Sequence, residues 1–294
     1  MQIKAGFKLS YDVPKPTPML FTLNLYPSRR GDLLTPQVVT YDPPVETWDY
    51  TDGFGNICTR LTAPAGRLTV HTAFEIYDTG QPDVVASDAL QHDIRDLPDD
   101  VLVFLLGSRY CETDRLSNIA WTLFEQTQPG WARVQAILDW VHNHIRFDYK
   151  LADATRTAYG AYIEQVGVCR DYTHLAIAFC RCMNIPARYC TGYLGDIGNV
   201  PVSGPMDFSA WLQVYLGGHW YTVDARNNTP RIGRLLMAMG RDATDVALST
   251  QFGPAELVGF EVVTEEVTSS ALADDGGHDS HRQERQHAEQ TPQG

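Results

Sequence analysis

The sequence predicts an α+β fold, with an all-β N-terminal region followed by helices packed on an antiparallel hairpin. Three observations point there. Within residues 1–85, "MLFTLNLYP", "QVVTYDP" and "RLTVHTAFEIYD" alternate apolar and polar side chains and are rich in Thr, Val and aromatics, the period of half-buried strands. In "GWARVQAILDWVHNHIRFDYK", Val134, Ile137, Leu138, Val141 and Ile145 recur at the spacing of one helix face. Finally, "FSAWLQVYL", "GG" and "HWYTVDAR" read as two strands joined by the two-residue turn Gly217-Gly218.

The elements follow in order. Residues 1–85 suggest a β-sandwich of about seven strands, with a turn at Asp52-Gly53 and Gly55-Asn56. Residues 86–128 form a connector that opens acidic, with Asp88, Asp93, Asp96, Asp99 and Asp100. These acids read as a solvated linker rather than a metal site. "ETDRLSNIAWTLFEQT" then predicts a short helix capped by Thr113 or Asp114, with Leu116, Ile119, Ala120 and Leu123 on one face. Residues 129–267 form the core. After its first helix, "TRTAYGAYIEQ" predicts a short helix, and "GVCRDYTHLAIAFC" begins another with the stripe Leu175, Ala176, Phe179 and Met183. Pro186 ends that helix at Asn184. "ARYCTGYLGD" is a strand leading into a Gly/Pro loop that ends near Met206, and "ELVGFEVVTEEVT" is a strand that closes the fold. Residues 268–294 are polar and lack aromatics, which predicts a disordered acidic tail.

Composition narrows the function. The chain has 294 residues, 44% hydrophobic and 20% charged, with a formal net charge of −13. From Thr264 onward, seven acids and two arginines contribute −5 of that. Such a chain repels nucleic-acid phosphates, so no nucleic-acid partner is expected. No run of 18 apolar residues predicts a membrane helix, and "MQIKAGFKLSYDVPKP" lacks the apolar stretch of a signal peptide. Six cysteines without an export signal read as reduced thiols in a cytoplasmic protein. No Cys/His set has zinc spacing, so neither metal nor cofactor is expected. Cys180, Cys182 and Cys190 read as small buried hydrophobes.

Cys169 stands apart because it immediately precedes an apolar helical run. A helix N-terminus and a nearby imidazolium both favour the thiolate. An adjacent hairpin can supply the imidazole from one strand and an orienting carboxylate from the other. Asp224 fits the carboxylate role. With Gly217-Gly218 as the turn, Ser209 and Asp224 become diagonal neighbours on one pleat face.

"GVCRDYTHLAIAFCRCMNIPARYCTGYL", "MDFSAWLQVYLGGHWYTVDARNN" and "GRDATDVAL" resemble the bacterial transglutaminase-like superfamily, whose members are often described as proposed cysteine proteases. The opening "YDVP", "LNLYP" and "DGFGN" resembles the β-sandwich that precedes the core in many members, and "SRYCETDRL" and "ILDWVHNHIRFDY" resemble its connecting segments. The resemblance covers nearly everything except the tail. It implies a papain-like transglutaminase core, with a helix-borne cysteine packed on an antiparallel sheet. It also implies a Cys-His-Asp triad acting on amide bonds in peptides or proteins. Cys169 would be the nucleophile and Asp224 the orienting acid. The family's histidine falls in "DFHAW", where this chain reads "DFSAW" with Ser209.

Serine has no group that titrates near neutral pH, so it cannot take the thiol proton. Other histidines are poorly placed. His219 is at the turn end of the hairpin, roughly 15 Å from Ser209 along extended strands. His174 lies about 140° round the helix from Cys169 and reads as a packing residue. Softer roles remain. The Cys169 N–H and the Gln165 side chain are oxyanion candidates, Gln165 reading equally as a surface residue; Arg226 and Trp211 are substrate-binding candidates, Arg226 reading also as a brace for its strand and Trp211 first of all as core. Arg170 and Asp171 read as an anchor for the helix start. Two function classes follow: a weakened cysteine hydrolase or acyl-transferase, and a catalytically inactive pseudoenzyme that binds peptide or protein.

Overall fold

The computed structural model describes residues 1–198 and 206–268; all of the predicted tail after Thr268 lies outside the described residues, as does most of the loop before Met206. Six strands come first: β1 (Gln2–Val13), β2 (Thr17–Phe21), β3 (Thr40–Asp42), β4 (Thr47–Thr51), β5 (Ile57–Ala63) and β6 (Gly66–Tyr77). The middle of the chain holds α1 (Asp99–Leu102), α2 (Thr113–Phe124), α3 (Trp131–His144), β7 (Arg146–Phe147), α4 (Ala158–Glu164), β8 (Val166–Gly167) and α5 (Cys169–Cys182). Then come β9 (Ala187–Tyr193), β10 (Ser209–Leu216), β11 (His219–Val223), β12 (Leu235–Gly240), β13 (Ser249–Gln251) and β14 (Glu256–Glu266).

Two four-stranded antiparallel sheets, ordered β14-β1-β6-β3 and β13-β2-β5-β4, share one apolar core and form the sandwich. In β1, Ile3, Ala5, Phe7, Leu9, Tyr11 and Val13 are all buried, an unbroken two-residue period. A Cβ at Gly6 would lie 2.4 Å from the Thr72 carbonyl oxygen, so glycine lets β1 and β6 approach. The sandwich departs from expectation in its closing strands. The segment 256–266, assigned from sequence to the core, pairs with β1, and β13 pairs with β2. Among the described residues, six N-terminal strands and two C-terminal ones therefore make up the sandwich. Its apolar core is also continuous with Tyr193, Leu235 and Met237 of β9 and β12.

The third sheet, β11-β10-β9-β12, carries α5 on one face. Ala210, Leu212, Val214 and Leu216 alternate toward that helix, while Trp211 faces the other way. Gly217 and Gly218 have φ of 55° and 84°, the left-handed pair that a two-residue hairpin turn demands. The expected stripe of α3 is buried throughout. In α2 the stripe is Leu116, Ala120 and Phe124; Leu123 is 37% exposed, and no side chain caps the helix. Helix α5 is buried almost all round, beyond its predicted stripe, because α2, α3, α4 and the sheet surround it. Arg181, for instance, is buried and donates to the carbonyls of Ala187, Leu106 and Arg241. The helix ends at Cys182, and Asn184 takes a left-handed φ of 61° just ahead of Pro186.

Candidate active site

The start of α5 is built as one unit. β7 and β8 pair in parallel, with Phe147 opposite Gly167, and Cys169 follows two residues later. The Asp171 carboxylate reaches back to accept from the Val168 N–H at 2.8 Å and from Arg156 Nη1 at 3.3 Å. This satisfies a donor that a helix start otherwise leaves orphaned. A Cβ on Gly167 would sit 2.6 Å from the Asp171 side chain, so the glycine makes room for the cap. Arg170 Nη2 lies 4.0 Å from Asp171 and also donates to the Asp153 carbonyl, a bracing role.

Cys169 is half-buried, whereas Cys58, Cys111, Cys180, Cys182 and Cys190 are buried. β11 ends at Val223 opposite Leu212, so the start of β10 has no partner on that side. The Ala210 N–H there donates to the Cys169 thiol. Burial, followed by the nearby Asp207 carboxylate, pushes the thiol up to about 11; Ala210 and the Arg226 charge oppose this, and Asp224 adds to it. The expected lowering at a helix start is outweighed, and at neutral pH the sulfur keeps its proton.

Asp224 lies just past β11, buried and fully engaged. Its Oδ1 accepts from the N–H groups of Arg226 and Asn227, each at 3.0 Å. Its Oδ2 accepts from Asn227 Nδ2 at 2.8 Å and Arg234 Nη2 at 2.9 Å. Burial alone would raise its pKa, but Arg234 and the Asn227 donors outweigh it and hold the carboxyl below the usual range. Arg234 in turn bridges to Asp83 at 2.9 Å.

Ser209 opens β10 opposite Gly192 and is half-buried. Its carbonyl accepts from Thr191 Oγ1 at 3.1 Å. It shares a pleat face with Trp211, and the Arg234 guanidinium that holds Asp224 lies 5.0 Å from the Trp211 ring. Trp211 is only 2% exposed, packed with Cys190 and Met239 beneath Arg234. With the even-numbered residues of β10 turned toward α5, Trp211 is carried into a separate small core, the role the sequence favoured for it over substrate contact.

The other expected residues divide. Arg226 is half-buried, its guanidinium carbon 4.1 Å from the centre of the Phe147 ring. Gln165 is exposed at the left-handed C-cap of α4, where its carbonyl accepts from the Arg146 N–H. His174 is buried; its Nε2 accepts from the Ala243 N–H at 3.1 Å, and its ring stacks on Tyr110. Burial foremost holds it down to about 3, a neutral packing histidine. His142 contacts the Arg226 carbonyl through Nδ1 at 2.9 Å, and His144 the Tyr162 carbonyl at 2.7 Å. Sequence reasoning missed Asp207, Tyr149, Asn227 and Arg234. Tyr149 packs edge-on against Phe147, and burial, then the neighbouring Cys169, raises its pKa. Asn227 carried a signal, as a polar turn residue three positions after the acid; Arg234 carried none.

Residues 119–225 match the model of the transglutaminase-like superfamily. An uncharacterized protein of Mycobacterium leprae is 26% identical over 213 residues, which cover 70% of this chain and 75% of that protein. The crystal structure of a proposed cysteine protease from Cytophaga hutchinsonii superposes with a TM-score of 0.79 at 28% identity, covering 92% of this chain and 91% of that one. With a half-buried cysteine opening the central helix and the hairpin beside it, residues 119–225 form a segment that matches the transglutaminase-like superfamily.

Proposed function

We propose that this chain is a cysteine hydrolase or acyl-transferase of amide bonds in peptides or proteins, weakened at its base. One observation carries the reading: of six thiols, Cys169 alone is not buried, and it opens the central helix. In the reaction, Sγ attacks the amide carbonyl and the C–N bond breaks. The amine leaves with a proton, and a thioester remains on Cys169. Water or a second amine then takes the acyl group and returns a proton to sulfur. The Cys169 N–H, at the first position of α5, supports the developing oxyanion. Ser209 offers no base, so the thiol proton must pass to water or to a group on the substrate. General-base catalysis contributes about 10² to 10⁴-fold, which sets the size of the deficit. The same reading places the protein in a reducing compartment, supported by six free thiols.

A second reading, a binding module without catalysis, is favoured by the thiol's rise to about 11. Turnover of chromogenic amides, and transfer of a fluorescent amine, by the parent and by Cys169→Ala separate the two. Slow turnover that vanishes in Cys169→Ala supports the enzyme. Peptide binding with no Cys169-dependent turnover supports the module.

A further inference from the structure

We propose that Arg226 makes the Cys169 site selective for acidic peptides, by pairing with a ligand carboxylate placed beside the reacting carbonyl. The inference rests on Cys169 being the reacting group, as proposed above.

The backbone of Arg226 is fixed while its head is free. Its N–H donates to Asp224 Oδ1 at 3.0 Å, and its carbonyl meets His142 Nδ1 at 2.9 Å. The guanidinium lies over Phe147, which is paired with Gly167 two residues before Cys169. Placement on the ring therefore places it next to the thiol. Stacking on an aromatic face leaves the guanidinium edge, with its N–H donors, pointing outward.

Neighbouring arginines are engaged differently. Arg234 is paired with Asp83 and Asp224, and Arg231 lies 3.7 Å from Asp196. Among the described residues, no carboxylate comes within 4.0 Å of the Arg226 guanidinium. An arginine left unpaired in a chain with a net charge of −13 is a docking point for an external acid. Its half-buried setting strengthens such a pair relative to one on the open surface. Asp207, a carboxylate also beside the thiol, repels a ligand carboxylate and so turns it toward Arg226.

The test compares two alkylating agents on the full chain. Iodoacetate carries a carboxylate and iodoacetamide does not, and mass spectrometry reads the rate at Cys169 for each. The readout is the ratio of the two rates, so a general change in thiol reactivity cancels. Arg226→Gln should lower the iodoacetate-to-iodoacetamide ratio about fivefold, the scale of one partly exposed ion pair, and Arg226→Lys should restore part of it. A second arm asks whether a Gln-containing hexapeptide with a neighbouring Glu slows iodoacetamide labelling of Cys169 more than its Ala counterpart does. An unchanged ratio in Arg226→Gln, or equal protection by the two peptides, overturns the inference and leaves the thiol site standing. If neither reagent modifies Cys169 ahead of the buried cysteines, the thiol site itself falls, and the inference with it.

Discussion

The two halves of the candidate site are built to different standards. On the Asp224 side, a buried carboxylate accepts four hydrogen bonds, one of them from an arginine that also grips Asp83. On the Ser209 side, a half-buried hydroxyl opens a strand, and its residue is fixed through the backbone. The orienting machinery is complete where the group to be oriented is missing. Asp224 thus has a structural occupation of its own: it ties the end of the hairpin, through Arg234, to the segment that leaves the sandwich. Its presence is explained by the fold alone and does not by itself testify to catalysis. Cys169 carries that burden.

Restoring the missing group gives the largest expected effect. Ser209→His should raise amide turnover by about 10² to 10⁴-fold, the usual contribution of a general base, and adding Cys169→Ala should abolish the gain. A folded Ser209→His variant with no gain on several amides would show that the two halves no longer address one another. The acid half is tested by Arg234→Ala, which leaves Asp224 and Asp83 without their cation. Breaking a buried pair in this way costs about 3–5 kcal/mol, read as a lower midpoint in urea unfolding. A loss below about 1 kcal/mol, the level of an exposed pair, would return Asp224 to a mainly catalytic account.

The thiol supplies a third measure. With Cys169 raised to about 11, its alkylation rate should climb about tenfold per pH unit between pH 7 and pH 9, without a plateau. Ser209→His should bring an inflection below pH 9, because an imidazolium stabilises the thiolate. A plateau near neutral pH in the parent would mean that an unrecognised cation already serves Cys169. The smallest expected effect belongs to Asn227→Ala. It removes one donor from Asp224 Oδ2 and should cost about 1 kcal/mol of stability. In the Ser209→His background it should raise turnover further, by freeing a lone pair for the new imidazole. A fall in turnover there would show that Asn227 helps position the carboxylate for its partner.

What the sequence made legible was local. The hairpin was readable because Gly217-Gly218 sits between two strand patterns, and the observed register, Leu216 opposite His219, follows from that turn. The α3 face was readable because its spacing repeats. β1 was equally legible, since its buried side chains recur at every second residue from Ile3 to Val13. The placement of β14 was not readable, since its partner lies some 250 residues away and nothing local names it. Leu123 and Phe124 are both apolar and adjacent, so only packing against α3 and α5 decides between them. The Asp224 network was hidden for the same reason as β14: Arg234 reaches the acid through the fold, not through any repeat. Trp211, by contrast, was legible as core, and the apolar alternation at 210, 212, 214 and 216 fixes which face it takes.

The antiparallel pairing of β1 with β14 bears on how the chain is made. One edge of β1 is satisfied early by β6, but the other meets its partner only when Glu256–Glu266 has been synthesised. During translation, the nascent sandwich therefore presents an unpaired edge while the whole β9–β12 sheet emerges from the ribosome. Lys4 and Lys8, exposed along β1, place positive charge beside that edge during the wait, a feature that discourages pairing with other nascent chains. The β1 edge closes only once residues 256–266 are made, so a ribosome stalled before residue 256 would release a chain with β1 still unpaired on that side.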